Sequence, residues 1–253
     1  MLAILLGTAI GLSLGLIGGG GSILTVPILV YLMGQDAHAA TATSLAVVGA
    51  TAAAGALSHW RAGRVRLGTA IPFGLAGIGG AFAGAWLNHL VPSWLILCLF
   101  GLLMLVVALR MFIAPRLARQ PAQRSARDDR LALAGAGLSV GLMTGFFGVG
   151  GGFLIVPALV LVLGLNMRSA VGTSLVVIVI NSVAGLAAHL RYGSLDLALV
   201  ALFTLGGAAG ATAGALFAGR VDERRLQRGF ATFVAALGIW LIAGNLPLGP
   251  LAA

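Results

Sequence analysis

The chain has 253 residues, of which 60% are hydrophobic and only 8% charged. A soluble domain of this size has no single core able to hide so much apolar surface, so the soluble globular class is excluded. The formal net charge is +9 and every basic residue is arginine. Those arginines fall between apolar runs, the pattern of membrane-flanking loops, and no nucleic-acid partner is implied.

The apolar runs are about 20 residues long, the length a helix needs to cross a bilayer, and lack the short alternating pattern of a membrane β-barrel. The expected fold class is therefore an all-α polytopic membrane protein. The first run, 2–33, resembles a signal peptide at its start but lacks a basic leader region and is read as part of the fold. Its centre, GLIGGGGSILTVP (15–27), carries Gly18, Gly19, Gly20, Gly21, Ser22 and Pro27. Clearer helices are predicted near 40–59, 69–88 and 94–113. Cys98, in the last of these, is the single cysteine, so no disulfide or cysteine-based metal site is possible within one copy. A basic stretch, 110–130, follows as a linker. A second broken run covers 131–163, with Gly148, Gly150, Gly151, Gly152 and Pro157. Three further helices are predicted near 170–189, 197–218 and 229–246.

Shifted by 130 residues, the chain lies on itself. GLSLGLIGGGGSILTVPILV (11–30) falls on GLMTGFFGVGGGFLIVPALV (141–160), ATSLAVV (42–48) on GTSLVVI (172–178), and SHWRAG (58–63) on AHLRYG (188–193). The domain reading is a first repeat at 1–110, a basic cytoplasmic linker at 111–130 and a second repeat at 131–253. If each broken run crossed the membrane once, Arg168, Arg220, Arg224, Arg225 and Arg228 would face outside with the linker inside. If each run enters and returns as two half-helices, only Arg191 lies outside. The positive-inside rule selects the second arrangement, which makes the halves inverted repeats, the plan of many secondary transporters.

Glycine inside a helix costs roughly 1 kcal/mol relative to alanine and proline about 3 kcal/mol, so the two glycine clusters mark one break placed twice. Non-helical backbone at membrane depth persists only where protein buries it or a polar cavity flanks it. The free N–H groups at such a break suit a small anion, so the clusters are candidate binding elements. Gly77, Gly80, Gly84, Gly206, Gly210 and Gly214 are read instead as packing glycines.

Thr43 and Ser44 recur as Thr173 and Ser174, and Asn181 stands where the first half has Thr51. These are candidate donors to substrate oxygens, with helix back-bonding as the plainer alternative. His59 and His189 share one repeat position near helix ends, each two residues before Arg61 or Arg191. They are read first as interfacial anchors, with His59, His189 and Arg191 kept as coupling or gating candidates. The acidic residues Asp36, Asp128, Asp129, Asp196, Asp222 and Glu223 all fall in loops or at helix ends, which argues against a cation pump. GLSLG (11–15) and GLSVG (137–141) imitate a hydrolase nucleophile motif but stand in apolar segments and do not coincide under the repeat. No Walker A sequence is present, and no cofactor is expected.

The residues Gly141, Gly145, Gly148, Gly150 to Gly152, Val156 and Pro157, followed by the T-S-L and H-x-R-x-G stretches, resemble the TauE/SafE family of sulfite exporters, also called TSUP. The resemblance covers nearly the whole chain. It implies a permease, in the bacterial cytoplasmic membrane, for small sulfur-containing or organic anions such as sulfite or sulfoacetate, driven by an ion gradient. The first half departs from the pattern, with Ser22 in place of a glycine and an additional Gly19. The expected function is a secondary transporter of small anions working by alternating access around the paired breaks, with a small anion and the lipid bilayer as partners. An anion channel, or a non-transporting membrane subunit or enzyme, is the alternative. Oligomeric state is not specified by the sequence.

Overall fold

The computed structural model describes residues 2–19, 21–113, 126–148, 152–161, 163–189, 195–218 and 223–245. Among these the only regular structure is helical: α1 (Leu2–Ile17), α2 (Ser22–Pro27), α3 (Ala37–Arg61), α4 (Leu67–Leu90), α5 (Ser93–Ile113), α6 (Ala126–Phe147), α7 (Gly152–Leu161), α8 (Met167–His189), α9 (Leu197–Phe217) and α10 (Glu223–Asn245). Helices α3, α4, α5, α8 and α9 are long and apolar enough to cross a membrane. The starts Ser22 and Gly152, Ala37 and Met167, Leu67 and Leu197, and Ser93 and Glu223 are each 130 residues apart. The α6 helix begins at Ala126, inside the stretch expected to be linker.

Neither proline stops the helical path, although Pro27 is the last α-helical residue of α2. Pro27 lacks the amide that would bond back to Ile23, and the chain continues beyond it as a π-helical turn, Ile28–Leu32. Pro157 stands inside α7. The interruptions lie earlier, at the glycines.

Helix directions follow from contacts. Gly7, Gly11 and Gly15 of α1 meet Phe203, Gly207 and Ala211 of α9 in the same order, so α1 and α9 run parallel. Thr51 and Gly55 of α3 meet Gly207 and Ala211, so α3 is parallel to α9 as well. Two consecutive long helices, α1 and α3, therefore start at the same end of the bundle. The intervening α2 must carry the chain back, and Gly21 lies against the Ile10 carbonyl of α1 accordingly. In the second half α6 runs parallel to α4, with Gly137, Gly141 and Gly145 on Phe73, Gly77 and Ala81. Between halves the order reverses: Gly49 faces Ser182, Gly55 faces Leu175 and Gly185 faces Leu45, so α3 and α8 cross antiparallel.

This pair forms the centre of the bundle. Leu45, Val47, Val48 and Ala52 of α3 and Leu175, Val177 and Ile178 of α8 are all buried. The α5–α10 pair closes one side through Phe100, Met104, Val234 and Leu241. The outer faces carry Leu75, Phe82, Leu102, Leu109, Leu205 and Leu216, all exposed, as lipid-facing side chains should be. Exposed Trp60 lies at one end of the bundle and exposed Trp86 and Trp94 toward the other, the places where indoles anchor at headgroups.

Candidate functional site

The α1 helix stops at Ile17 because Gly18 takes φ +78°, with its N–H closing on the Leu14 carbonyl at 2.7 Å. Gly148 takes φ +68° after α6 and closes on the Thr144 carbonyl at 2.9 Å. This left-handed conformation costs a residue with a Cβ roughly 1–2 kcal/mol. Space forbids a side chain independently. A Cβ on Gly18 would lie 2.6 Å from the Cα of Val171, and one on Gly148 would overlap Thr41. The interruptions are thus pressed against the first turns of α8 and α3. They also reach each other: a Cβ on Gly152 would stand 2.6 Å from the Cα of Gly19. Gly20, Gly150 and Gly151 lie outside the described residues, as does Arg191.

The neighbouring hydroxyls divide into two groups. Ser22 donates to the Gly19 carbonyl at 2.7 Å, and Ser174 has the Gly18 and Val171 carbonyls at 2.6 and 2.7 Å. Thr173 accepts from the Arg66 N–H at 3.0 Å. These three are occupied by backbone groups; of the expected back-bonds only that of Ser174 to Val171 is among them, while Thr173 and Ser174 also reach Arg66 and Gly18 on other segments. Ser44, the repeat counterpart of Ser174, is fully buried with its Oγ unpartnered. Thr43 is buried beside it. One hydroxyl of a matched pair therefore braces a break while the other is held without a partner.

Halfway along the central pair, Asn181 is fully buried with both Oδ1 and Nδ2 unpartnered. Its carboxamide fills the space beside Gly77, where a Cβ would overlap it. Thr51 occupies the matching place beside Gly207, also buried and unpartnered. Ser182 and Thr144 are also buried and unpartnered, and these two the sequence reading passed over. Thr51 was visible only as the counterpart of Asn181; Ser182 and Thr144 carry no local signal, since a buried orphan is recognised only once its neighbours are known. An unpaired buried polar group costs about 1–3 kcal/mol, so each of these atoms calls for a partner such as a water or a bound ligand.

The histidines differ from interfacial anchors. His59 and His189 are 1% and 3% exposed, and each donates from Nε2 to the last turn of a broken helix, at the Gly15 and Gly145 carbonyls, both 2.9 Å. Those carbonyls are helix-end acceptors with no intrahelical partner, so each imidazole caps a helix that stops within the bundle. Asn88 supports the second cap, donating to the Phe146 carbonyl at 2.7 Å.

Outside the spans, Asp36 caps α3 by accepting from the His38 N–H at 2.8 Å and from the Ser93 hydroxyl at 3.0 Å. Partial burial pushes its carboxyl up, but these hydrogen bonds and the nearby His38 outweigh that and hold it below the ordinary carboxylate value. Among the described residues no group of three or more His, Cys, Asp or Glu is arranged to hold a metal ion.

The sequence family described as "Sulfite exporter TauE/SafE" matches residues 3–241. A "Probable membrane transporter protein" of Xylella fastidiosa (strain 9a5c) is 35% identical over 241 residues, covering 93% of this chain and 92% of that protein. The "Probable membrane transporter protein YdhB" of Bacillus subtilis (strain 168) is 30% identical over 246 residues, covering 96% of this chain and all of that protein. No solved structure gives a significant match. With its helices, its doubled glycine interruptions and this full-length similarity to membrane transporters, the chain belongs to the TauE/SafE family.

Proposed function

We propose that the protein is a secondary transporter of small anions, sulfite or related organosulfur compounds and oxyanions, working by alternating access around the paired breaks. The observation that carries this reading is the meeting of Gly19 with Gly152 beside a central helix pair that holds buried, unpartnered polar atoms on Ser44, Thr51, Asn181 and Ser182. Hydrogen-bond donors without counter-charge suit an oxyanion, whose oxygens would satisfy hydroxyls and carboxamide together. The site is formed by Gly18, Gly19, Gly20, Gly21, Thr43 and Ser44 with Gly148, Gly150, Gly151, Gly152 and Asn181, and Ser22, Thr173 and Ser174, whose hydroxyls are held by backbone groups, shape its walls. His59, His189 and Arg191 couple or gate it.

The two halves, divided near 110–130, act as inverted repeats. The antiparallel crossing of α3 and α8, with parallel pairing of α1 with α9 and of α6 with α4, supports that relation. The setting is the bacterial cytoplasmic membrane, with the basic linker inside.

A thermal-shift screen of the purified protein against sulfite, thiosulfate, sulfate, sulfoacetate, lactate and chloride tests the reading. A ligand at one hundred times its Kd stabilises the folded state by roughly 2.7 kcal/mol. Stabilisation by a sulfur oxyanion in the parent, lost in Asn181→Leu, is the expected result. No shift with any anion, and no anion flux in proteoliposomes, would overturn it. Currents far above carrier turnover would make the protein a channel.

A further inference from the structure

Three of the four histidines lie in one file at one end of the bundle. His38, half-buried on the first turn of α3, stacks on His89 near the end of α4, with ring centroids 5.6 Å apart and planes 14° from parallel. His89 in turn meets His189 at 5.3 Å and 56°. The file ends at the buried Nε2–H that caps Gly145. Its outer member is fixed at both ends: the backbone N–H is held by Asp36, and Nδ1 donates to the Asn88 carboxamide at 2.9 Å.

The file breaks the repeat. His38 corresponds to Arg168 and His89 to Gly219, so the opposite end has only His59 at its cap. A structural need for capping is met by one histidine per half, His59 and His189; His38 and His89 extend only the second of these into a file. The three imidazoles follow one another from a half-buried to a buried position with ring centroids 5.6 and 5.3 Å apart, an arrangement in which bridging waters can pass a proton from ring to ring.

We infer that the coupling ion is the proton, carried between the solvent at this end and His189 by the His38–His89–His189 file. The inference rests on the transporter reading above. A proton arriving at His38 passes to His89 and then to the ring of His189, which becomes an imidazolium while its Nε2–H stays on Gly145. The reverse sequence returns it. Charge on His189 alters the cap of α6, one turn before the Gly148 interruption, and so links protonation to the break. Among the described residues, the other groups facing the file are Asp36 at its mouth, whose negative charge draws protons, and the neutral Asn88, Ser93 and backbone carbonyls of Gly145 and Phe146. Arginines are absent from the described part of this file.

The test uses the full chain in lipid nanodiscs with isotope-labelled histidine. Four histidines make assignment by single substitution direct. The expected result is that His89→Phe, which keeps an aromatic ring in place, slows exchange of the His189 ring proton with water at least tenfold and leaves that of His59 unchanged. His38→Gln slows it less. Unchanged exchange at His189 in both variants would overturn the relay. In proteoliposomes, a pH gradient should drive accumulation of thiosulfate or sulfoacetate in the parent and lose that effect in His89→Phe, with anion exchange retained. Accumulation indifferent to the gradient overturns proton coupling. If the parent moves none of the screened anions, the transporter reading fails while the exchange measurement still judges the relay.

Discussion

At Gly18 and Gly148 two constraints coincide, a positive φ and a neighbouring backbone where a side chain would stand. Gly148→Ala should therefore destabilise the protein by about 2–4 kcal/mol, the strain and the displacement of Thr41 adding to each other. Chemical unfolding in detergent would measure it. Asn181 obeys the opposite logic. Its carboxamide is a cost to the empty fold, so Asn181→Leu, of similar shape, should leave stability unchanged or raise it by about 1–2 kcal/mol while abolishing anion transport. A variant that melts earlier and still transports would show that Asn181 is structural. Asp36 gives a pH signature. Its carboxyl is held below the ordinary value, so its contribution is complete at neutral pH and is lost as pH falls through the carboxylate range. Asparagine caps nearly as well as aspartate. From about pH 6 to about pH 3 the parent should lose about 2–4 °C more in melting temperature than Asp36→Asn.

Among the elements, the parallel pairs α1–α9 and α4–α6 are held by glycines that let backbones approach each other directly. A Cβ at Gly11 would overlap the carbonyl of Gly207, and one at Gly141 that of Gly77. With no hydrophobic effect between helices in lipid, such close packing carries the association. Gly11→Val and Gly141→Val should each lower the melting temperature by several degrees, an overpacking cost of about 1–3 kcal/mol. Gly63→Ala is the control: a Cβ there has nothing within 4 Å, though its φ of +70° leaves a conformational cost. The assignment of Gly77, Gly80 and Gly84 to packing followed from spacing alone and agrees with these contacts, because residues three and four apart share one helix face. Their partners did not follow. Pairing α4 with α6 rather than with a neighbour in sequence is settled by tertiary contacts.

On the scale of the molecule, helix directions gather Arg61, Arg64, Arg66, Arg110, Arg168 and Arg228 at one end, and Asp36, His38, His89 and His189 at the other. In the orientation proposed above from the positive-inside rule, the arginine end faces the cytoplasm and the histidine file the outside. In a Cys98→Ala background, Gly63→Cys should react with a membrane-impermeant thiol reagent only after the inner face is opened, and Gly34→Cys in intact cells. Reaction of both from one side would refute the orientation. That orientation would put the proposed proton relay on the face opposite the basic loops, where a bacterial cytoplasmic membrane maintains the higher proton activity.

Some of this was determined by the sequence itself. Hydropathy fixed the class, because no soluble core accommodates such a composition, and the 130-residue shift matched helix starts from Ser22 with Gly152 to Ser93 with Glu223, since equal sequences form equal local structure. Among the described residues α1 and α6 end just before Gly18 and Gly148, both at positive φ, because a glycine's backbone freedom is a local property. What tertiary structure alone decided is which residues meet across the halves. The imidazoles of His38, His89 and His189 are separated by most of the chain and stand together only because α3 and α8 run oppositely. Likewise Ser44 and Ser174 are identical in sequence and repeat position, yet one braces a break and the other has no partner. A repeat guarantees the same local fold; it does not guarantee the same neighbours, and neighbours determine whether a buried hydroxyl supports the structure or is left for a ligand.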